Sequence, residues 1–119
     1  MQERLELGNL DARRDWGWAP DYVDALYRAA SAAEPDDFVV ATGVAHSVED
    51  FVRVAFERAG VDDWRERIDV TPGLLRSGDA AELAGDASRA RQKLGWSPTV
   101  DFEQLVAAMV DNDLALLRG

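Results

Sequence analysis

No cysteine occurs in the 119 residues, so neither a disulfide framework nor thiol chemistry is available to this chain. A single histidine, His46, and scattered carboxylates provide no cluster with zinc-ligand spacing. Cations are also scarce, with 13 basic residues against 23 acidic ones and a net charge of −10. That balance excludes a general binder of nucleic acid or of anionic membrane, because phosphate contacts need a surplus of positive charge. Any anionic ligand must be held by a few placed arginines. Lysine is almost missing: Lys93 stands alone, and arginine supplies every other basic side chain. No run approaches the roughly 18 consecutive apolar residues that span a membrane. The opening MQERLELGNL lacks the basic and then apolar run of a secretion signal. A cytoplasmic protein without a membrane partner is expected.

Catalytic signatures are lacking too. No serine sits in a GxSxG nucleophile elbow. Thr42-Gly43-Val44-Ala45-His46 leads from an apolar run into a helix, so its backbone amides could face an anion. One glycine there falls short of the GxGxxG dinucleotide fingerprint. No Tyr-x-x-x-Lys pair exists, since Tyr22 is followed four residues on by Leu26 and Tyr27 by Ser31. His46, at a strand-to-helix turn, is expected to play a local hydrogen-bonding role. The expectation is therefore no catalytic residue, no metal site and no cofactor bound by this chain alone.

What is present is globular, with 47% hydrophobic residues and a length that allows one domain at most. Leu5 to Leu10 reads as a short strand entering a loop. Pro20 suits a helix start, and Tyr22, Val23, Leu26, Tyr27 and Ala30 repeat at helical spacing to about Ala33. Phe38-Val39-Val40-Ala41 reads as a buried strand of a parallel sheet. Ser47, with Asp50 three residues on, marks a capped helix start. The apolar stripe of that helix is Val48, Phe51, Val52, Ala55 and Phe56, and Gly60 ends it. Ile68-Asp69-Val70 is a short strand, and Arg76 to Gly85 is less regular. A further helix runs from Asp86-Ala87-Ser88 to Gly95. The last runs from Phe102 to about Leu117, with Leu105, Val106, Met109, Val110, Leu114 and Leu117 as its buried face. Few short strands with about four helices predict an α/β lobe in place of a closed, doubly wound sheet.

The stretch LGNLDARRDWGWAPDYV, from Leu7 to Val23, stands apart. Arginine beside tryptophan is a pairing that can grip a phosphate together with an apolar or heterocyclic surface. For Arg13-Arg14-Asp15 two readings stay open. In one, Asp15 pairs with an arginine on the surface. In the other, Asp15 holds one guanidinium while the second turns toward a phosphate. Arg76, between Leu74-Leu75 and Ser77-Gly78, is equally ambiguous. Trp96, inside Leu94-Gly95-Trp96-Ser97-Pro98, reads as a core anchor joining two helices.

Three segments together resemble the C-terminal portion of the GDP-mannose 4,6-dehydratases, which are extended short-chain dehydrogenase/reductases. They are LGNLDARRDWGWAPDYVDAL, DDFVVATGVAHSVEDFVRVAFERAG and GDASRARQKLGWSPTVDFEQLVAAMVDNDLALL. The resemblance runs from about Leu7 to Leu117 in uninterrupted order. It implies a complete enzyme that carries NADP on an N-terminal Rossmann sheet and turns GDP-mannose into GDP-4-keto-6-deoxymannose. A Tyr-x-x-x-Lys pair with a Thr and a Glu does that chemistry upstream of the matched region. For this chain it implies one partial domain over residues 1–119, a substrate-binding lobe with the Rossmann sheet missing and a helical subregion at about 86–117. By position, Arg14 and Arg76 match the arginines that grip the GDP diphosphate and nucleotide, and Asn9 matches a loop position near the sugar nucleotide. The family's Arg-Pro-x-Glu-Val-Asp is here Arg76-Ser77-Gly78-Asp79-Ala80-Ala81, with Asp79 one methylene shorter than the glutamate it replaces. The implied partners are GDP-mannose or a related nucleotide-sugar, and an N-terminal Rossmann chain or full-length homologue. Two other readings stay open at this point: a free-standing sugar-nucleotide-binding or regulatory module, and a fragment without a ligand. All of them predict exposed apolar surface where a sheet is missing.

Overall fold

A computed structural model describes residues 3–71 and 82–119 of the chain. Among them four α-helices alternate with short strands. The first strand, β1 (Leu5–Leu7), pairs in parallel with β4 (Ile68–Val70), Leu5 lying opposite Ile68 and Leu7 opposite Val70. Three two-residue strands make a second sheet, ordered β3 (His46–Ser47), β2 (Arg13–Arg14) and β5 (Glu82–Leu83). β2 runs antiparallel to β3 and parallel to β5. The strands at 5–7 and 68–70 lie where the sequence placed them, whereas the three dipeptide strands are too short to leave a period.

Phe38–Ala41 departs from expectation. It forms no ladder among the described residues. Phe38 and Val40 pack on the buried cluster of Ala25, Ala87, Ala90 and Trp96, while Val39 points outward. An apolar run marks burial on both faces only where another strand lies alongside to satisfy its backbone. Here the helices cover one side of it.

Helix α1 (Ala19–Ala30) has Pro20 in its first turn, as the sequence indicated. Its buried side is Asp21 and Ala25, facing α3 (Ser88–Leu94). Of the large residues in the helical repeat, Tyr22 packs on the buried cluster while Val23, Leu26 and Tyr27 face the other way, 63%, 67% and 73% exposed. Small residues at Ala25 and Ala90 let α1 and α3 approach closely, so the bulky stripe is left outside. Arg28 then reaches across to the Leu94 and Gly95 carbonyls, both at 3.1 Å, and closes the C-terminal end of α3.

Helix α2 (Val48–Arg58) carries the expected capping box, with Ser47 Oγ accepting from the Asp50 amide at 3.0 Å and Asp50 accepting from the Ser47 amide. A second box, between Asp101 and Gln104, starts α4 (Phe102–Arg118). Helices α2 and α4 lie side by side in the same direction, since Phe51 meets Phe102 near their starts and Arg58 grips Asp111 further on. Phe102, Leu105 and Val106 are buried in this contact. Met109 and Leu117, expected inside, are 50% and 71% exposed: Leu117 lies beyond the reach of α2, whose last residue Arg58 meets Asp111, and Met109 lies on a side of α4 that α2 does not cover. None of the described helices is long and apolar enough to cross a membrane.

Candidate functional site

The chain folds the Leu7–Val23 stretch into a hub. Leu10 and Ala12 offer their carbonyls to the Glu49 and Val48 amides at 3.0 and 2.9 Å, satisfying the first turn of α2. Asn9 is exposed, and its Oδ1 accepts from the Asp11 amide at 2.9 Å, an Asx turn that shapes the loop. β2 follows. Arg14 lies opposite His46 on one side and beside Leu83 on the other. Arg13 donates through Nη2 to the Ala45 carbonyl at 2.9 Å, and Arg14 through Nη1 to the Arg13 carbonyl at 2.8 Å.

Asp15 takes neither of the roles open to it in the sequence. Its Oδ1 accepts from the Thr42 amide at 3.0 Å and from the Thr42 hydroxyl. Its Oδ2 accepts from the Gly43 amide at 2.8 Å and the Gly85 amide at 3.1 Å. Burial pushes this carboxyl up, but the hydrogen bonds from the Thr42 side chain and the Gly43, Gly85 and Thr42 amides outweigh it and hold the group below its ordinary value. The Thr42-Gly43 turn that could have faced an anion does face one, and that anion is internal.

A cavity of about 510 Å³ opens between the 42–46 turn and the start of α4. Trp16, His46 and Phe102 form its aromatic wall, and Thr42, Asp101 and Gln104 are among its polar lining groups. His46 stacks on Phe102 with ring centres 3.9 Å apart and planes 8° from parallel. Trp16 packs against both Phe51 and Phe102. Arg14 pairs through its backbone with His46, a lining residue of this cavity, and is not itself among the lining residues. His46 thus works as an aromatic plate. Sequence reasoning missed that role because its partner Phe102 lies 56 positions away, at the start of α4.

Of the four residues expected at the site, Arg14 and Asn9 lie on this hub. Arg76 and Asp79 fall outside the described residues. The chain leaves β4 beside Leu7, where the Thr71 amide donates to the Leu7 carbonyl at 2.8 Å, and reappears in β5 beside Arg13 and Arg14. Both ends of the connection that carries Arg76 and Asp79 are therefore fastened to the segment that carries Asn9 and Arg14. Groups of three or more His, Cys, Asp or Glu residues able to hold a metal do not occur among the described residues.

This fold is shared with solved structures. UDP-glucose 4-epimerase from Thermotoga maritima, solved with UDP-glucose, superposes with a TM-score of 0.84 at 24% identity, over 96% of this chain and 36% of that one. RMD from Pseudomonas aeruginosa, complexed with NADPH, gives 0.81 at 22% identity, over 94% and 36%. Sequence likeness is closer. The chain is 45% identical over 118 residues to GDP-mannose 4,6 dehydratase 2 of Arabidopsis thaliana, covering 99% of this chain and 31% of the relative. It is 42% identical over 132 residues to human GDP-mannose 4,6 dehydratase, covering 98% and 36%. It thus spans about a third of the length of the curated relatives it matches. The GDP-mannose 4,6 dehydratase family model matches residues 1–109. On that match over residues 1–109 and these identities, the chain belongs to the GDP-mannose 4,6-dehydratase family.

Proposed function

We propose that residues 1–119 form one partial domain, the nucleotide-sugar-binding lobe of a GDP-mannose 4,6-dehydratase, in which Arg14 and Arg76 grip the diphosphate of GDP-mannose. The observation that carries this reading is the placement of Arg14 between β3 and β5, on the segment to which both ends of the Arg76 connection are tied. Two guanidiniums on one diphosphate would explain how a chain of net charge −10 holds an anion. Asn9 and Asp79 are assigned to the sugar-nucleotide side of the same site.

The residues present do not fit NADP. The sequence has no glycine-rich fingerprint, and in the turn most like one the Thr42 and Gly43 amides are taken by Asp15. Hydride transfer is therefore assigned to a nucleotide-binding region on the same or another chain, and the 119 residues alone are expected to be inactive. The surface supports such a partner. It measures 8293 Å², against about 6,400 Å² for a compact monomer of this mass. The excess, about 1,900 Å², is more than the roughly 800 Å² that one partner contributes to a standard interface, so this chain has surface to spare for one. We assign the Val23-Leu26-Tyr27 face of α1 to that contact, with a Rossmann region or a full-length homologue as the occupant.

Calorimetric titration with GDP-mannose tests the binding claim. Wild type should bind, and Arg14→Ala or Arg76→Ala should each weaken binding by about 1.5–3 kcal/mol, the range for hydrogen bonds to charged groups. An absence of heat at millimolar ligand would sink it. UDP-glucose in a parallel titration reports whether the shorter Asp79 has relaxed the guanine preference. Incubation with NADP and GDP-mannose should yield no keto-sugar.

A further inference from the structure

We propose that Asp15 is a positioning residue, whose carboxylate locks the exit of β2 and thereby decides which face of the sheet presents Arg14. What Arg14 binds rests on the nucleotide-sugar reading above; the clasp itself does not. The argument begins with strand length. β2, β3 and β5 contain two residues each. So short a ladder holds its register weakly, and a slip of one residue turns every side chain to the opposite face. The Leu10 and Ala12 carbonyls anchor the strand on its entry side, and the residue after Arg14 anchors its exit. Two segments far apart in sequence, Thr42-Gly43 and Gly85, meet on the Asp15 carboxylate. Four donors match the roughly four lone-pair sites of a carboxylate.

The donors are built for this ligand. Gly43 holds φ at 85°, a conformation that side chains rarely adopt. A Cβ on Gly85 would sit 2.5 Å from the Ala41 Cβ, so only glycine lets the two segments close on Asp15. Successive backbone amides curled in this way form an anion nest. A carboxylate fills it at the right reach. Asn would turn an NH2 group toward amide donors, and Glu would push the segments apart by a methylene.

The test measures backbone amide exchange by NMR without ligand, and GDP-mannose affinity by calorimetry, in wild type, Asp15→Asn, Asp15→Glu and the milder Thr42→Val. In Asp15→Asn and Asp15→Glu the Thr42, Gly43 and Gly85 amides should exchange at least about ten-fold faster, while the Val106 amide in α4 keeps its wild-type protection. GDP-mannose affinity should fall at least about ten-fold in both, the loss of one charged hydrogen bond. Thr42→Val should show the same local change to a smaller degree, which keeps the test open if Asp15→Asn fails to fold. Unchanged exchange at the three amides, uniform loss of protection including Val106, or wild-type affinity in Asp15→Glu would each overturn the proposal. If wild type binds no GDP-mannose, the nucleotide-sugar reading fails while amide exchange still decides the clasp.

Discussion

Asp21 is 5% exposed, and each of its carboxylate oxygens accepts a hydrogen bond. Oδ2 accepts from the Thr99 amide at 2.9 Å, Oδ1 from the Thr99 hydroxyl at 2.6 Å, and its backbone carbonyl from Trp96 Nε1 at 2.8 Å. Its place in the first turn of α1 adds the favourable end of the helix dipole. Asp21→Ala should cost about 1–3 kcal/mol, since it strands the Thr99 donors, and urea denaturation followed by circular dichroism measures that. Asp15 makes a pH prediction with a definite sign. Its folded value lies below the ordinary 3.8, so its stabilisation is complete above that value and is lost as pH falls through the lowered one. The gap in melting temperature between wild type and Asp15→Asn should therefore be full at neutral pH and shrink below about pH 4. At this scale Trp96 was legible, because a tryptophan between two helix signals has a large apolar area to hide, and it is 1% exposed. The roles of Asp15 and Asp21 were not. Their donors sit at Thr42, Gly85 and Thr99, and no local pattern links positions so far apart.

Helix starts are local chemistry, and α2 and α4 each begin at a reciprocal capping box. Ser47→Ala should cost about 0.5–2 kcal/mol in chemical denaturation, the range for a lost N-cap. Gly85→Ala tests packing in place of hydrogen bonding. The added methyl would sit 2.5 Å from the Ala41 Cβ, which is fixed to the backbone and cannot swing away, so about 1–3 kcal/mol is expected from overpacking. Element existence followed from spacing and caps, and all four expected helices are there. Which face of a helix is buried did not follow. The α1 stripe of Val23, Leu26 and Tyr27 obeys helical period, yet the structure buries Ala25 and Asp21 against α3. Periodicity shows that a helix has an apolar face; it does not name the neighbour that covers it.

Taken whole, the molecule is a slab of 52 × 39 × 17 Å with a radius of gyration of 17.1 Å. A compact chain of this length would have about 13.5 Å. The four helices lie as two packed pairs, α1 with α3 and α2 with α4, joined by the β2 hub. Such a shape leaves apolar residues without cover, as the family resemblance implied. A dye that fluoresces on apolar surface should bind the isolated chain, and the double change Leu26→Glu with Tyr27→Glu should reduce that signal. Because both side chains are more than half exposed, stability should move by no more than about 0.5 kcal/mol per change. An unchanged dye signal would show that the α1 face is not the exposed patch.

The amino-acid sequence alone determined what depends on neighbours within a few residues: helix starts, two short strands, the tryptophan anchor, and the family written in its motifs. It also excluded thiol chemistry and a glycine-rich cofactor cradle, since those need residue types or spacings that it lacks. Only the tertiary structure decided that Asp15 closes the Thr42-Gly43 turn, that His46 stacks on Phe102, and that the bulky side of α1 looks outward. The reason is one of range. Caps and periods are settled by bonds within a turn, whereas a clasp or a covered face exists only when distant segments arrive together.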